Sequence, residues 1–434
     1  MKRFISSILV IMLLISFPFV SHAVTDSGDF RGVHWELDAK GTLTITGNGV
    51  INQSGPWAAY KKNIKSIVIG EGVTRISEWV FDDYPALTSI TLGPDLVQID
   101  DWAFVNLSRT KTVILKLKED CFSLSCVVSD RLAEVIVDKD SAYISEGGFV
   151  LSPNRSKVVF FSGTGKAVVP EGVRSITGRA FYRSSVSQVV LPETLKSVNV
   201  YAFMYCSKLK SIVLPQSLQQ IQHCVFGDCK SLSSVYFLGN KLSNVSYDNG
   251  QIFSSCPSLT SITFPAMVTI GELFFDNCKN LERISLTEGT KRLRRHAIEG
   301  CPKLKQVILP ESISDLDDQF FDFSSNPVFY CHTASYAAGF LADHGCKVMP
   351  LTSVSAITLS ESSITLAKGK TANLGVTIEP ADATFQTVDW CSTNEDVATV
   401  KDGKVKAVKP GECDIWCLAT DDSGIHVFCH VIVE

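Results

Sequence analysis

Phenylalanine returns along this chain at a nearly constant step. Phe81, Phe104, Phe181, Phe203, Phe226, Phe253 and Phe275, followed by Ile298 and Phe321, lie 22 or 23 residues apart, apart from a gap of 77 after Phe104 and a step of 27 to Phe253. Three residues beyond each marker stand Tyr84, Leu107, Ser184, Cys206, Cys229, Cys256, Cys278, Cys301 and Ser324. A short β-like run comes next, with Ile212 and Leu214 before Pro215, Ile262 and Phe264 before Pro265, and Val307 and Leu309 before Pro310. A second apolar pair, such as Leu195/Val198, Leu218/Ile221 or Ile313/Leu316, leads back to the marker. This period is too short for a helix–turn–helix unit and fits one coil of a leucine-rich solenoid. Alternate strand residues point inward, and the proline, lacking an N–H for the ladder, closes the strand. A single coil cannot bury its apolar side, so only a stack of coils is stable.

The rest of the chain divides around this block. With 434 residues there is room for two or three domains. Residues 1–23 read as a signal peptide: Lys2 and Arg3 precede a mostly apolar run from Ile5 to Val20, and Ser21 to Ala23 form a small-residue cleavage site. The mature chain is expected to start near Val24, to be exported, and to have no membrane span, since no later apolar run reaches about 18 residues. Residues 24–63 carry two alternating stretches around a turn, Trp35/Leu37 and Leu43/Ile45, which predict a β-hairpin capping the first coil. The solenoid is expected over 64–350, closing with a strand at Val328–Cys331 and a short helical patch from Ser335 to His344. Over 351–434 the period stops and alternation takes over, as in Ile357/Leu359, Ile364/Leu366, Val405/Ala407, Ile415/Cys417 and Val431/Val433. Turn signals such as Asp402-Gly403 and Pro410-Gly411 separate the runs, and seven or so short strands predict a β-sandwich. The fold class is therefore mainly β, a solenoid followed by an Ig-like sandwich.

Two resemblances sharpen this reading. Tyr201-Ala202-Phe203 with Cys206 and Leu209, and Trp102-Ala103-Phe104, resemble the repeat of the BspA-like leucine-rich repeat family of bacterial surface proteins. Tyr143 to Leu151 is similar to that family's irregular coil, and Ile298 departs from its pattern. The run Trp390 to Asn394 leading into Val397–Val400, then Gly403 to Ala407, then Pro410-Gly411, resembles the bacterial Ig-like group 2 module. The first resemblance implies adhesion to host extracellular proteins or to other cells.

Enzyme chemistry finds little support. Gly163-Thr164-Gly165-Lys166 resembles part of a phosphate loop, but Phe160 and Ala167 stand where that loop requires glycine and serine or threonine. Asp315, Asp317, Asp318 and Asp322 lack the spacing of a calcium loop. No H-E-x-x-H or G-x-S-x-G occurs. No catalytic residue, metal site or cofactor is expected. A net charge of −5, with 20% of residues charged, leaves no basic footprint for nucleic acid.

The cysteine column is too straight for four ligands to converge on zinc. Its members are expected to be buried fillers, while Cys121/Cys126 and Cys331/Cys346 are the candidate disulfides. Cys413, Cys417 and Cys429 are expected to point inward, as core thiols or with one cross-strand bond. Outward positions on the repeat strands, Ser234, Tyr236, Thr263, Arg283 and Gln306 among them, are the candidate contacts for an extracellular protein or glycan. The expectation is a secreted or cell-surface binding and adhesion protein. The alternatives are a structural part of an extracellular assembly and an enzyme acting on glycans or peptides.

Overall fold

In the strand Ser261–Phe264, Ile262 and Phe264 are buried while Ser261 and Thr263 are half-buried on the other side. The same alternation in Ser211–Leu214 and Ser234–Phe237 makes one face of each coil apolar, and parallel pairing stacks those faces in register, Ser211 on Ser234 and Ser261 on Arg283. The computed structural model describes residues 24–243, 250–322 and 326–434. The leader expected over 1–23, part of the long step before Phe253, and Ser324 lie outside them. Two apolar cores run through the solenoid, one from Val33 to Phe160 and one from Phe149 to Leu341. The hairpin Val33–Asp38/Thr42–Thr46 forms as expected, with an added strand Val24–Phe30 at its edge. Its second arm pairs in parallel with Ser66–Ile69, so the cap continues the solenoid sheet.

The markers form a column. Rings of Phe203, Phe226, Phe253 and Phe275 stack nearly parallel, with centroids 5.6–5.7 Å apart. Ile298 takes the next place, paired with Phe275. The 77-residue gap is not a break in the stack. Val127 bridges Phe104 in parallel, so one coil there carries valine in place of the ring. The irregular hairpin Phe149–Leu151/Lys157–Phe161 then joins the next regular coil through Lys157 on Ser175.

Eight of the coils, from that of Phe81 to that of Ile298, bend sharply on both sides of the marker. Two residues before and two after it, the backbone is left-handed: Trp79/Asp83, Trp102/Asn106, Arg179/Arg183, Tyr201/Tyr205, Cys224/Asp228, Gln251/Ser255, Leu273/Asn277 and His296/Gly300. That conformation costs a non-glycine residue about 1–2 kcal/mol. The N–H groups offset the cost by bonding to the next coil, as Trp79 N–H does to Trp102 O (3.0 Å), Arg183 N–H to Met204 O (3.0 Å) and Tyr205 N–H to Gly227 O (2.9 Å).

Beyond the helix Tyr336–Asp343, capped by Ser335, the chain builds the sandwich. Four strands, Ser363–Leu366, His426–Val433, Gly411–Ala419 and Val388–Ser392, form the larger sheet. Smaller sheets pair Ala356–Leu359 with Val376–Glu379 and join Thr371–Asn373, Lys404–Ala407 and Ala398–Lys401. Val388–Ser392 is a strand that alternation alone did not mark.

Removing one ring opens a void in a column that packs on both sides. Phe226→Ala is expected to lower unfolding stability by about 3–5 kcal/mol, measured by denaturant titration against the wild type.

Candidate binding surfaces

The larger sheet of the sandwich has two faces. Trp390 and Cys417, opposite one another, turn toward the sandwich interior, while Cys391 and Trp416 turn away from it. That outer face meets the outward side of the solenoid strands, where Cys391 and Trp416 pack on Leu238 with Val213 and Tyr236 beside them. Polar contacts pin the seam along its length. Lys166 bonds to Asn394 and Asp396, Arg283 pairs with Asp389 at 3.2 Å, and His332 Nε2 lies 2.9 Å from Asp422. Lys166, Arg283 and His332 stand on the solenoid and each carboxylate on the Ig-like module. Ser285 and Ile308, outward by register, are fully buried.

Four of the five expected binding residues, Ser234, Tyr236, Thr263 and Arg283, therefore meet an intramolecular neighbour. Ser234 and Tyr236 line a cavity beneath Trp390, and Thr263 lines a smaller one beneath Asp389 and Leu418. Arg283 is spent on Asp389, and Gln306 is half-buried on its strand. Lys166, from the phosphate-loop-like stretch, sits in the strand Gly165–Val168. Asp315 of the acidic stretch pairs with Arg292. A serine, a histidine and an aspartate do assemble at the seam, but not as a catalytic relay. His332 presents the same Nε2 to Asp422 and to Ser353 Oγ (3.1 Å), and the serine hydroxyl already donates to Asp422 at 2.6 Å. A relay needs one ring nitrogen for the acid and the other for the nucleophile. This trio cross-links the linker to both modules instead.

All fourteen cysteines are free thiols. This corrects both expected pairs. Cys331 lies opposite Pro350 in a parallel pair, which leaves Cys346 about four residues down the neighbouring strand, on the order of 13 Å away, beyond disulfide reach. Cys121 and Cys126 instead donate to different carbonyls, Leu96 O and Ser123 O. Cys413, Cys417 and Cys429 are buried core thiols, with Cys429 opposite Ile415 rather than another cysteine. The column is more than filler. Cys206, Cys229, Cys256, Cys278 and Cys301 each donate S–H to the carbonyl of a marker phenylalanine in the preceding coil, at 3.0–3.1 Å. Burial pushes the Cys256 thiol up to about 12.

Sequence reasoning missed a second surface, the ridge where the coils turn. Trp79 and Trp102 stand half-exposed on adjacent coils with rings 5.6 Å apart. Further along, Arg179 lies between the rings of Tyr182 (4.6 Å) and Tyr201 (4.9 Å), and Arg183 between Tyr205 (4.6 Å) and Tyr182 (5.6 Å). Asp130 accepts from Tyr182 and faces Arg183. Among the described residues, no carboxylate pairs with Arg179. The left-handed position after the marker holds Asp, Asn, Gly or Ser in most coils, types that tolerate it. In these two coils it holds Arg183 and Tyr205, where the side chain rather than the backbone preference sets the choice.

Comparison with known proteins agrees with the fold. The model for the BspA type leucine-rich repeat region matches in six copies over residues 55–164, 161–250 and 249–330. The chain belongs to the BspA-type leucine-rich repeat family. The model for the bacterial Ig-like domain (group 2) matches residues 353–425. A leucine-rich repeat protein from Eubacterium ventriosum is 19% identical, with 68% of this chain and 94% of that chain covered at a TM-score of 0.47. The pneumococcal vaccine antigen PcpA is 13% identical over 76% of this chain and 99% of its own, at 0.43. A minor capsid protein of Enterobacteria phage T3 is 41% identical over 78 residues, 18% of this chain and 17% of that protein. This chain thus matches less than a fifth of that relative's length.

In this BspA-type protein the seam is also a proton-sensitive contact. Burial raises Asp389 and Asp422 above the usual carboxylate range, against the pull of Arg283 on the first and of Ser353 and His332 on the second. A carboxyl raised on folding contributes stability that is complete below its unfolded value, near 4, and is lost as pH rises through the folded value. The stability difference between wild type and Asp422→Asn is therefore expected to be most favourable to wild type near pH 4 and to shrink toward pH 7, read from denaturant midpoints across that range. The thiols give a second test. Cys121 and Cys346, the two not fully buried, should react first with a thiol reagent in the folded protein, and the other twelve (fourteen less these two) only on unfolding without reductant.

Proposed function

We propose that this is an exported or cell-surface binding protein, and that the arginine–tyrosine ladder on the turn ridge is where it grips an extracellular protein or glycan. One observation carries the reading: Arg179 and Arg183 lie between tyrosine rings on the surface, with Arg179 unpaired by any carboxylate among the described residues. Tyrosine and arginine dominate binding hot spots because they offer large contact area, and prior ordering reduces the entropy lost on contact. The leader-like 1–23 segment, the repeat family and the Ig-like module support the same placement outside the cell. The strand face is the weaker choice for the partner, because the chain's own Ig-like module lies on it. A second reading, a structural part of an extracellular assembly, draws on the short likeness to a capsid protein.

The test is capture of the purified mature chain on an array of extracellular proteins and glycans, repeated with Arg179→Ala/Tyr201→Ala. Loss of about 2 kcal/mol of binding, roughly thirtyfold, is expected for the double variant. Capture unaffected by it, or no capture together with self-association, would reject the ridge.

A further inference from the structure

Glu78-Trp79 and Asp101-Trp102 occupy the same place in successive coils, an acid and then the tryptophan that stands two residues before the ring. In no other coil does an acid precede a tryptophan there; the place holds Gly178-Arg179, Val200-Tyr201 or Glu272-Leu273 instead. Stacking makes the two pairs neighbours. Trp79 N–H donates to Trp102 O (3.0 Å), and the indole rings stand 5.6 Å apart. Glu78 and Asp101 are both exposed. Desolvation, with the charges of Glu78 and Asp100 beside it, holds the Asp101 carboxyl above its ordinary range.

The fold alone does not account for this arrangement. Both tryptophans are left-handed, with φ of 60° and 58°, a costly conformation for so bulky a side chain. Trp79 and Trp102 still leave 50% and 45% of their surface to solvent. Like charges on neighbouring strands of a stack repel. Arg75 is already taken up by Asp100 at 2.7 Å, and among the described residues no lysine or arginine pairs with Glu78 or Asp101. None lies over either indole.

Two exposed indoles beside two unpaired carboxylates suit a cation with a flat face. An arginine side chain has one: its guanidinium stacks on an aromatic ring, and its fork of N–H groups matches a carboxylate. Lysine brings only a strongly hydrated point charge. Successive residues are about 3.8 Å apart along the chain, and equivalent residues about 4.8 Å apart across coils. One short segment therefore covers all four side chains. In an extended segment, alternate side chains leave the same face about 6.8 Å apart, so arginines at alternate positions both reach the patch.

We propose that Glu78, Trp79, Asp101 and Trp102 form a docking patch for an extended segment of an extracellular protein that carries arginine at alternate positions. The patch shares no residue with the arginine–tyrosine ladder and has the opposite charge, so it does not rest on that reading and can fail without it.

The experiment titrates the full mature chain by calorimetry with the capped peptide Gly-Arg-Ser-Arg-Gly and with its lysine and citrulline counterparts. The arginine peptide is expected to bind about tenfold tighter than the lysine peptide and about a hundredfold tighter than the neutral citrulline one. Glu78→Gln/Asp101→Asn and Trp79→Ser/Trp102→Ser should each weaken the arginine peptide at least about tenfold without lowering the thermal midpoint. The first pair alters exposed charges alone, so it decides the matter even where the second fails to fold. Citrulline binding as tight as arginine, arginine-peptide binding that survives Glu78→Gln/Asp101→Asn, binding of the neutral sugar cellotetraose in place of the peptide, self-association through these residues, or no binding would overturn the assignment.

Discussion

At Phe181, Phe203 and Phe226 the backbone carbonyl is a point where two donors converge. Phe203 O accepts the N–H of Cys206 in its own coil (3.1 Å) and the thiol of Cys229 in the next (3.1 Å), and Phe181 O accepts from Ser184 N–H and Cys206 in the same way. One donor closes the turn within a coil; the other exists only if the next coil is in place. A coil alone would leave a buried acceptor half-satisfied and a ring uncovered, and both deficits disappear together when the neighbour stacks. The left-handed residues depend on the same event, since their N–H groups reach across to the following coil. Turn, ring column and strand ladder are thus formed cooperatively between coils.

That dependence explains what could be read from the sequence. Phe226, Ile262 and Leu214 repeat at fixed offsets because each contacts its own equivalent one coil away, so period and environment coincide. The sandwich strands around Ile357, Val405, Ile415 and Val431 were legible for a similar reason, one face in and one out. Val127 was not, because a valine in the ring column carries no marker of its own. The left-handed positions were only partly visible. After the ring, Asp83, Asn106, Asp228, Asn277 and Gly300 form a recurrent set suited to positive φ, a signal that a closer comparison of the coils would have exposed. Before the ring, Trp79, Arg179, Tyr201 and Leu273 share no such preference.

The surfaces were less legible still. Alternation shows that Tyr236 and Arg283 point outward, but not what lies outside. Docking of one module on another follows no period; it rests on single pairs such as Arg283–Asp389 and Lys166–Asp396, 106 and 230 residues apart. The ladder of Arg179, Tyr182, Arg183, Tyr201 and Tyr205 is likewise assembled from two coils and becomes apparent only when they are stacked.

The free thiols give the fold a direction in time. While the stack holds, burial keeps Cys206, Cys229 and Cys256 protonated and out of reach, so they exchange with nothing. Once the coils separate in an oxidising medium, the same groups are exposed within a short stretch of chain and free to form bonds that the stack has no room for. Unfolding then becomes a one-way step, and the lifetime of the protein is set by how rarely its coils part rather than by the equilibrium between folded and unfolded forms.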